Sequence, residues 1–98
     1  MLSNNEQYAA VFQVSEAFNI TGKGCAIAGN IIQGTFKIGD KVEILRNDTV
    51  ITHTYIIAIE MMNWGSDQTP RTDIVAFFLH GISKDDVIKD DYIAQGRR

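Results

Sequence analysis

Residues 49–62 read Thr-Val-Ile-Thr-His-Thr-Tyr-Ile-Ile-Ala-Ile-Glu-Met-Met, and eight of the fourteen are β-branched. Such side chains are stiff at χ1 and crowd a helix, but they pack well on a pleated sheet. Helical spacing does not fit the run. Alternation does, with Tyr55, Ile57, Ile59 and Met61 on one face at period two. A strand this long presents backbone edges that have to be covered, and a sheet that closes on itself removes them.

The rest of the chain reads the same way. A strand is expected over 10–18, with Phe12 and Val14 in alternation, then a turn through Asn19-Ile20-Thr21-Gly22-Lys23-Gly24. A second strand is expected over 25–32, where Gly29 in mid-strand signals a bulge, a tight bend or a close backbone approach. Lys41–Arg46 alternates with Val42 and Ile44 inward, and Asn47-Asp48 forms the next turn. Residues 63–72 form a loop holding the single proline, Pro70, and the single tryptophan, Trp64. Residues 73–80 are so apolar that both faces of that strand should be covered. Ser83-Lys84-Asp85-Asp86 reads as the cap and first turn of a short helix, and Tyr92-Ile93-Ala94 as the strand that closes the sheet. Six short strands without a long helical pattern predict an all-β fold, a small closed six-stranded β-barrel.

Composition bounds the function. With 98 residues, 45% apolar and 21% charged, the chain has room for one globular domain over 1–98, with its core at about 8–94. Nine basic residues against twelve acidic ones leave a net charge of −3, which argues against an indiscriminate nucleic-acid binder. Recognition of a single exposed nucleotide remains open. One cysteine, Cys25, leaves no internal disulfide and no cysteine-built metal site; it is expected to pack as a small apolar residue. His53 and His80 lack metal-ligand spacing, and no metal or cofactor is expected. Asp85, Asp86, Asp90 and Asp91 read as a solvated acidic end. No apolar stretch approaches the ~20 residues of a membrane span, and residues 1–8 carry neither a basic region nor an apolar run. A cytoplasmic protein without membrane contact is the expectation.

The order of the turns resembles a known family. Phe18-Asn19-Ile20-Thr21-Gly22-Lys23-Gly24, then Ala28-Gly29-Asn30-Ile31, then residues 34–44 (GTFKIGDKVEI), Ile59-Glu60-Met61 and Leu79-His80-Gly81-Ile82 resemble the second domain of elongation factor Tu, within the translational GTPases. The likeness spans about residues 10–94. It implies a free-standing barrel of that type. No GxxxxGK[ST] stretch is present, so nothing cradles GTP, and GTP hydrolysis is not expected.

In that family the barrel holds the aminoacylated 3′ end of transfer RNA. The resemblance implies that a terminal adenosine would meet Ile20, Gly22, Glu60 and Phe78, with Phe78 standing where the family has an aliphatic residue. A glutamate accepting ribose hydroxyls beside a flat apolar surface is sound nucleotide chemistry. The same residues also suit a purely structural reading: core, turn, solvated carboxylate and core. The neighbouring aminoacyl pocket is altered. Ser15 and Glu16 occupy the place of an acidic pair, Ile74 that of an asparagine and Ala28 that of a threonine, which removes hydrogen bonds a charged amino group needs.

Met61, Met62 and Trp64 lie where the long strand leaves the barrel, and they suit either a protein-binding patch or a plug for one barrel end. Ile56, Phe77, Phe78 and Trp64 are candidates for an exposed apolar face. No nucleophile, base and orienter come together from these motifs, so an enzyme is not expected. The leading expectation is a non-enzymatic binding module that takes a protein partner or self-associates. A binder of an RNA 3′ end is the alternative. A mimic of the elongation-factor barrel is a third role, resting on the likeness alone.

Overall fold

A computed structural model describes residues 7–61 and 74–97. Six strands make up the body: β1 (Tyr8–Ile20), β2 (Gly24–Gln33), β3 (Lys41–Arg46), β4 (Thr49–Met61), β5 (Val75–Leu79) and β6 (Tyr92–Arg97). All neighbours pair antiparallel, in the ring β1-β2-β5-β4-β3-β6 with β6 returning to β1. The closed barrel of the sequence reading is therefore the observed architecture, and Tyr92–Ala94 do complete it, pairing with Leu45–Glu43 on one side and Gln13–Val11 on the other.

The interior follows from alternation. Phe12, Val14, Ile27, Val42, Ile44, Ile56, Val75, Phe77, Leu79 and Ile93 form the central cluster, with Cys25 among them. Phe12 and Phe77 stack with ring centres 4.3 Å apart, and Phe36, from the segment between β2 and β3, meets the Phe77 ring edge-on at 5.0 Å. Offset and edge-to-face contacts suit the ring quadrupoles. β5 is buried at every position, as its uninterrupted apolar run required.

Local chemistry sets the corners. Asn47 and Asp48 both take positive φ, at 54° and 65°, which makes the two-residue turn whose twist matches a hairpin. Gly29 sits opposite Val14, beside a bulge at Ser15 in β1, and a Cβ there would fall on the carbonyl oxygen of Gln13 and 3.0 Å from Phe12 Cζ. The close approach expected at Gly29 is thus real.

Three expectations need correction. A bulge between Ile56 and Ala58 reverses the alternation of β4, so Ile56 and Ile59 pack inward while Tyr55 and Ile57 face out. One inserted residue moves every later side chain to the opposite face, which strict period-two counting misses. Ile56, Phe77 and Phe78 are buried and form no exposed apolar face, Ile56 and Phe77 in the interior and Phe78 in a small outer cluster with Ala26 and Ala76; Trp64 lies outside the described residues. The exposed large apolar side chains of β4 are Ile51, Tyr55, Ile57 and Met61. Finally, Asp91 is not solvated: it is 1% exposed and forked by Arg46. Ser83 and Asp86 do cap the 3-10 turn Lys84–Asp86, the carboxylate accepting from the Ser83 N–H at 2.9 Å and its hydroxyl at 3.2 Å.

Candidate functional site

The bulges of β1 and β4 aim one set of side chains outward. Across β1, β2, β5 and β4 the outer face carries the row Phe18, Ala26, Phe78, Ala58, and next to it the row Glu16, Ala28, Ala76, Glu60. Ala26, Ala76 and Phe78 form a small outer cluster, with Phe18, Ile20 and Ala58 packed on it. The alanines leave the sheet surface low, and the larger side chains rise around it. A pocket of about 240 Å³ results, lined by Lys23, Ile57, Ala58, Glu60 and Phe78.

The tight turn between β1 and β2 supplies the rim. It closes with the Lys23 N–H donating to the Ile20 carbonyl at 2.9 Å. Gly22 and Gly24 take φ of 83° and 102°, a region open to glycine and strained for other residues. Lys23 reaches across from this turn, and its Nζ lies 2.8 Å from Oε2 of Glu60. The ammonium, the carboxylate and the Phe78 ring therefore bound one depression.

Ile20, Glu60 and Phe78 all border this face, and Gly22 lies in the turn that delivers Lys23 to it. Met61 pairs with Val75 at the end of β4 and is 55% exposed. Met62 and Trp64 lie outside the described residues. Sequence reasoning missed Lys23, Ile57 and Ala58. A lysine held between two glycines was the one available signal for Lys23. The positions of Ile57 and Ala58 depend on the bulge, which leaves no mark on the pattern.

A wider groove of about 480 Å³ runs over the outer face of β3, β4 and β6, lined by Lys41, Glu43, His53, Tyr55, Ala94 and Gly96 among others. Its polar wall is partly engaged already, His53 Nε2 standing 3.3 Å from Oε2 of Glu43. Tyr55 stacks on His80 at 4.8 Å. None of the residues implied by the family likeness lines this groove. Among the described residues no group of three metal-ligating side chains converges, and no helix is long and apolar enough to cross a membrane.

Barrel and face together define a small closed antiparallel β-barrel with a shallow outer pocket bounded by Lys23, Glu60 and Phe78. No protein-family model matches the chain. It is 38% identical over 82 residues to the apicoplast elongation factor Tu of Theileria parva, an alignment covering 84% of this chain and 20% of that protein. The chain thus spans about a fifth of the length of the curated relative it matches.

Proposed function

We propose that this chain is a non-enzymatic binding module corresponding to the second domain of elongation factor Tu, and that its outer β1–β2–β5–β4 face takes the terminal nucleotide of an RNA 3′ end. One observation carries the reading: Glu60 and Phe78 line a single depression together with the Lys23 ammonium, while Ile20 packs on the apolar cluster beside it and Gly22 lies in the turn that carries Lys23. The Phe78 side of the pocket gives a base or ribose an apolar wall. Glu60 offers oxygens to ribose hydroxyls, the chemistry by which a protein distinguishes ribose from deoxyribose. With Ala28 and Ala76 in the second row, the strip between Glu16 and Glu60 carries no side-chain hydrogen-bonding group of its own, and the polar chemistry of the face lies at its two glutamates and Lys23.

Titration with a short RNA ending in CCA, followed by amide chemical shifts, tests this. Shifts at Gly22, Lys23 and Glu60 at millimolar RNA, lost in Glu60→Gln, are expected. Unmoved resonances there would end the reading.

A second reading, a protein partner or self-association, keeps support from Ile57 and Met61. They are 50% and 55% exposed on the strand that flanks this face. Exposed apolar side chains of this kind would gain from being covered by a partner. Here the barrel would dock a protein with the same edge that borders the pocket.

A further inference from the structure

We propose that Lys23 is both the latch of the Phe78–Glu60 pocket and its phosphate-selecting residue, so that the site takes a 5′-phosphorylated nucleotide in preference to a bare nucleoside. The proposal rests on the nucleotide reading above and specifies its ligand class.

Lys23 and Glu60 line the same pocket and are bonded to each other at 2.8 Å. A ribose that takes up both carboxylate oxygens of Glu60 therefore competes with an ammonium group already in place on Oε2. A nucleoside breaks that pair and returns nothing to the lysine. A nucleotide brings its own anion, which accepts the ammonium as the hydroxyls take over the carboxylate. Exchange of one charge-assisted bond for another keeps both ions satisfied.

The surroundings sharpen the need for this cation. Glu16 and Glu60 flank the alanine strip on the same face, and the chain carries a net charge of −3. A phosphate arriving there meets repulsion unless a positive group stands at the rim. Lys23 is the cation lining the pocket. Its side chain is 55% exposed, so donors remain for an incoming phosphate. A Cβ at Gly22 or Gly24 would have no atom within 4 Å, so the space beside the turn on either side of the lysine is open.

The test compares adenosine with adenosine 5′-monophosphate on the full chain and on Lys23→Met, by amide chemical shifts at Gly22, Glu60 and Phe78. The methionine keeps most of the stem and deletes the charge. In the wild type the monophosphate binds about two- to fivefold more tightly, the range an exposed ion pair supplies, and added salt erodes the difference. In Lys23→Met the order reverses, with adenosine gaining from a freed Glu60 and the monophosphate losing its partner. Lys23→Arg retains the wild-type order. If both ligands bind and their ratio is the same in wild type and Lys23→Met, the latch is wrong while the nucleotide site stands. If neither ligand moves those resonances in any variant, the nucleotide site fails and the latch with it.

Discussion

Arg46 and Asp91 form a two-pronged bond, Nε to Oδ1 at 3.0 Å and a terminal N–H to Oδ2 at 2.8 Å, between β3 and the residue that leads into β6. Oδ2 also accepts the Ile88 N–H at 3.0 Å, and the arginine reaches the Asp86 carbonyl at 3.4 Å. The hydrogen bond to Asp91 raises the Arg46 pKa further above its already high value, so the guanidinium stays charged. One buried carboxylate thus ties the 3-10 turn, β3 and the closing strand together.

Asp91→Ala leaves the Ile88 amide without its acceptor and the guanidinium without its partner. Hydrogen bonds to a charged group are worth about 1.5–3 kcal/mol, and here the buried carboxylate's bonds to the guanidinium are lost, which lowers Tm by roughly 4 °C or more in a chain of this size. Asp91→Asn keeps an acceptor oxygen for Ile88 and falls between wild type and alanine. Thermal unfolding followed by far-UV circular dichroism checks the order. Asp91→Ala melting with the wild type would contradict the role given to the fork.

Two glycines are predicted to differ. At Gly29 an added methyl meets backbone, the Gln13 carbonyl, which cannot swing aside as a flexible side chain does. Gly29→Ala should cost about 1–3 kcal/mol or more, the usual range for overpacking. At Gly22 the space is open and only the positive φ is strained, a cost of about 1 kcal/mol. Chemical denaturation midpoints should therefore rank wild type, then Gly22→Ala, then Gly29→Ala.

Cys25 gives a pH prediction. Burial raises its thiol pKa above the ordinary 9.0, Asp86 adding to the rise and Lys84 opposing it. A thiol harder to ionise folded than unfolded stabilises the protein fully below the unfolded pKa, and that contribution is lost as pH climbs through the folded value. Denaturation midpoints should fall more steeply above about pH 8.5 in wild type than in Cys25→Ala. At pH 8 a disulfide reagent should label the native thiol slowly and the guanidinium-unfolded thiol rapidly. Equal slopes in the two proteins would remove the buried-thiol account.

Lys23 and Glu60 are exposed enough that their bond is worth at most about 1 kcal/mol. Lys23→Met and Glu60→Gln should each shift Tm by only a few degrees, so a change in ligand binding in either is not a folding defect. Heteronuclear spectra with unchanged dispersion away from the pocket verify this.

If the flank of β4 docks protein, Ile57→Lys should abolish concentration-dependent association seen by sedimentation velocity. A charge placed in an apolar contact is not tolerated. Association that persists in Ile57→Lys would move the contact elsewhere.

The amino-acid order by itself determined the element types, the turns and most of the interior. Alternation and β-branching are local properties, so Lys41–Arg46 came out at its observed bounds, and β2 and β4 within a residue of theirs. The likeness to elongation factor Tu named Ile20, Gly22, Glu60 and Phe78. Which face each side chain occupies was decided only by the tertiary structure. A bulge at Ile57 depends on how β4 pairs with β5, so Ile56 points into the interior beside Phe77 while Ile57 faces out, and Phe78 is covered on the outer face by its own small cluster. The burial of Asp91 depends on Arg46, 45 residues away, and a run of aspartates carries no trace of a distant guanidinium. Lys23 meets Glu60 only once the β1–β2 turn folds over the sheet. Periodicity reports the neighbours of a residue along the chain; register and closure choose its neighbours in space, and chemistry between side chains follows the second set.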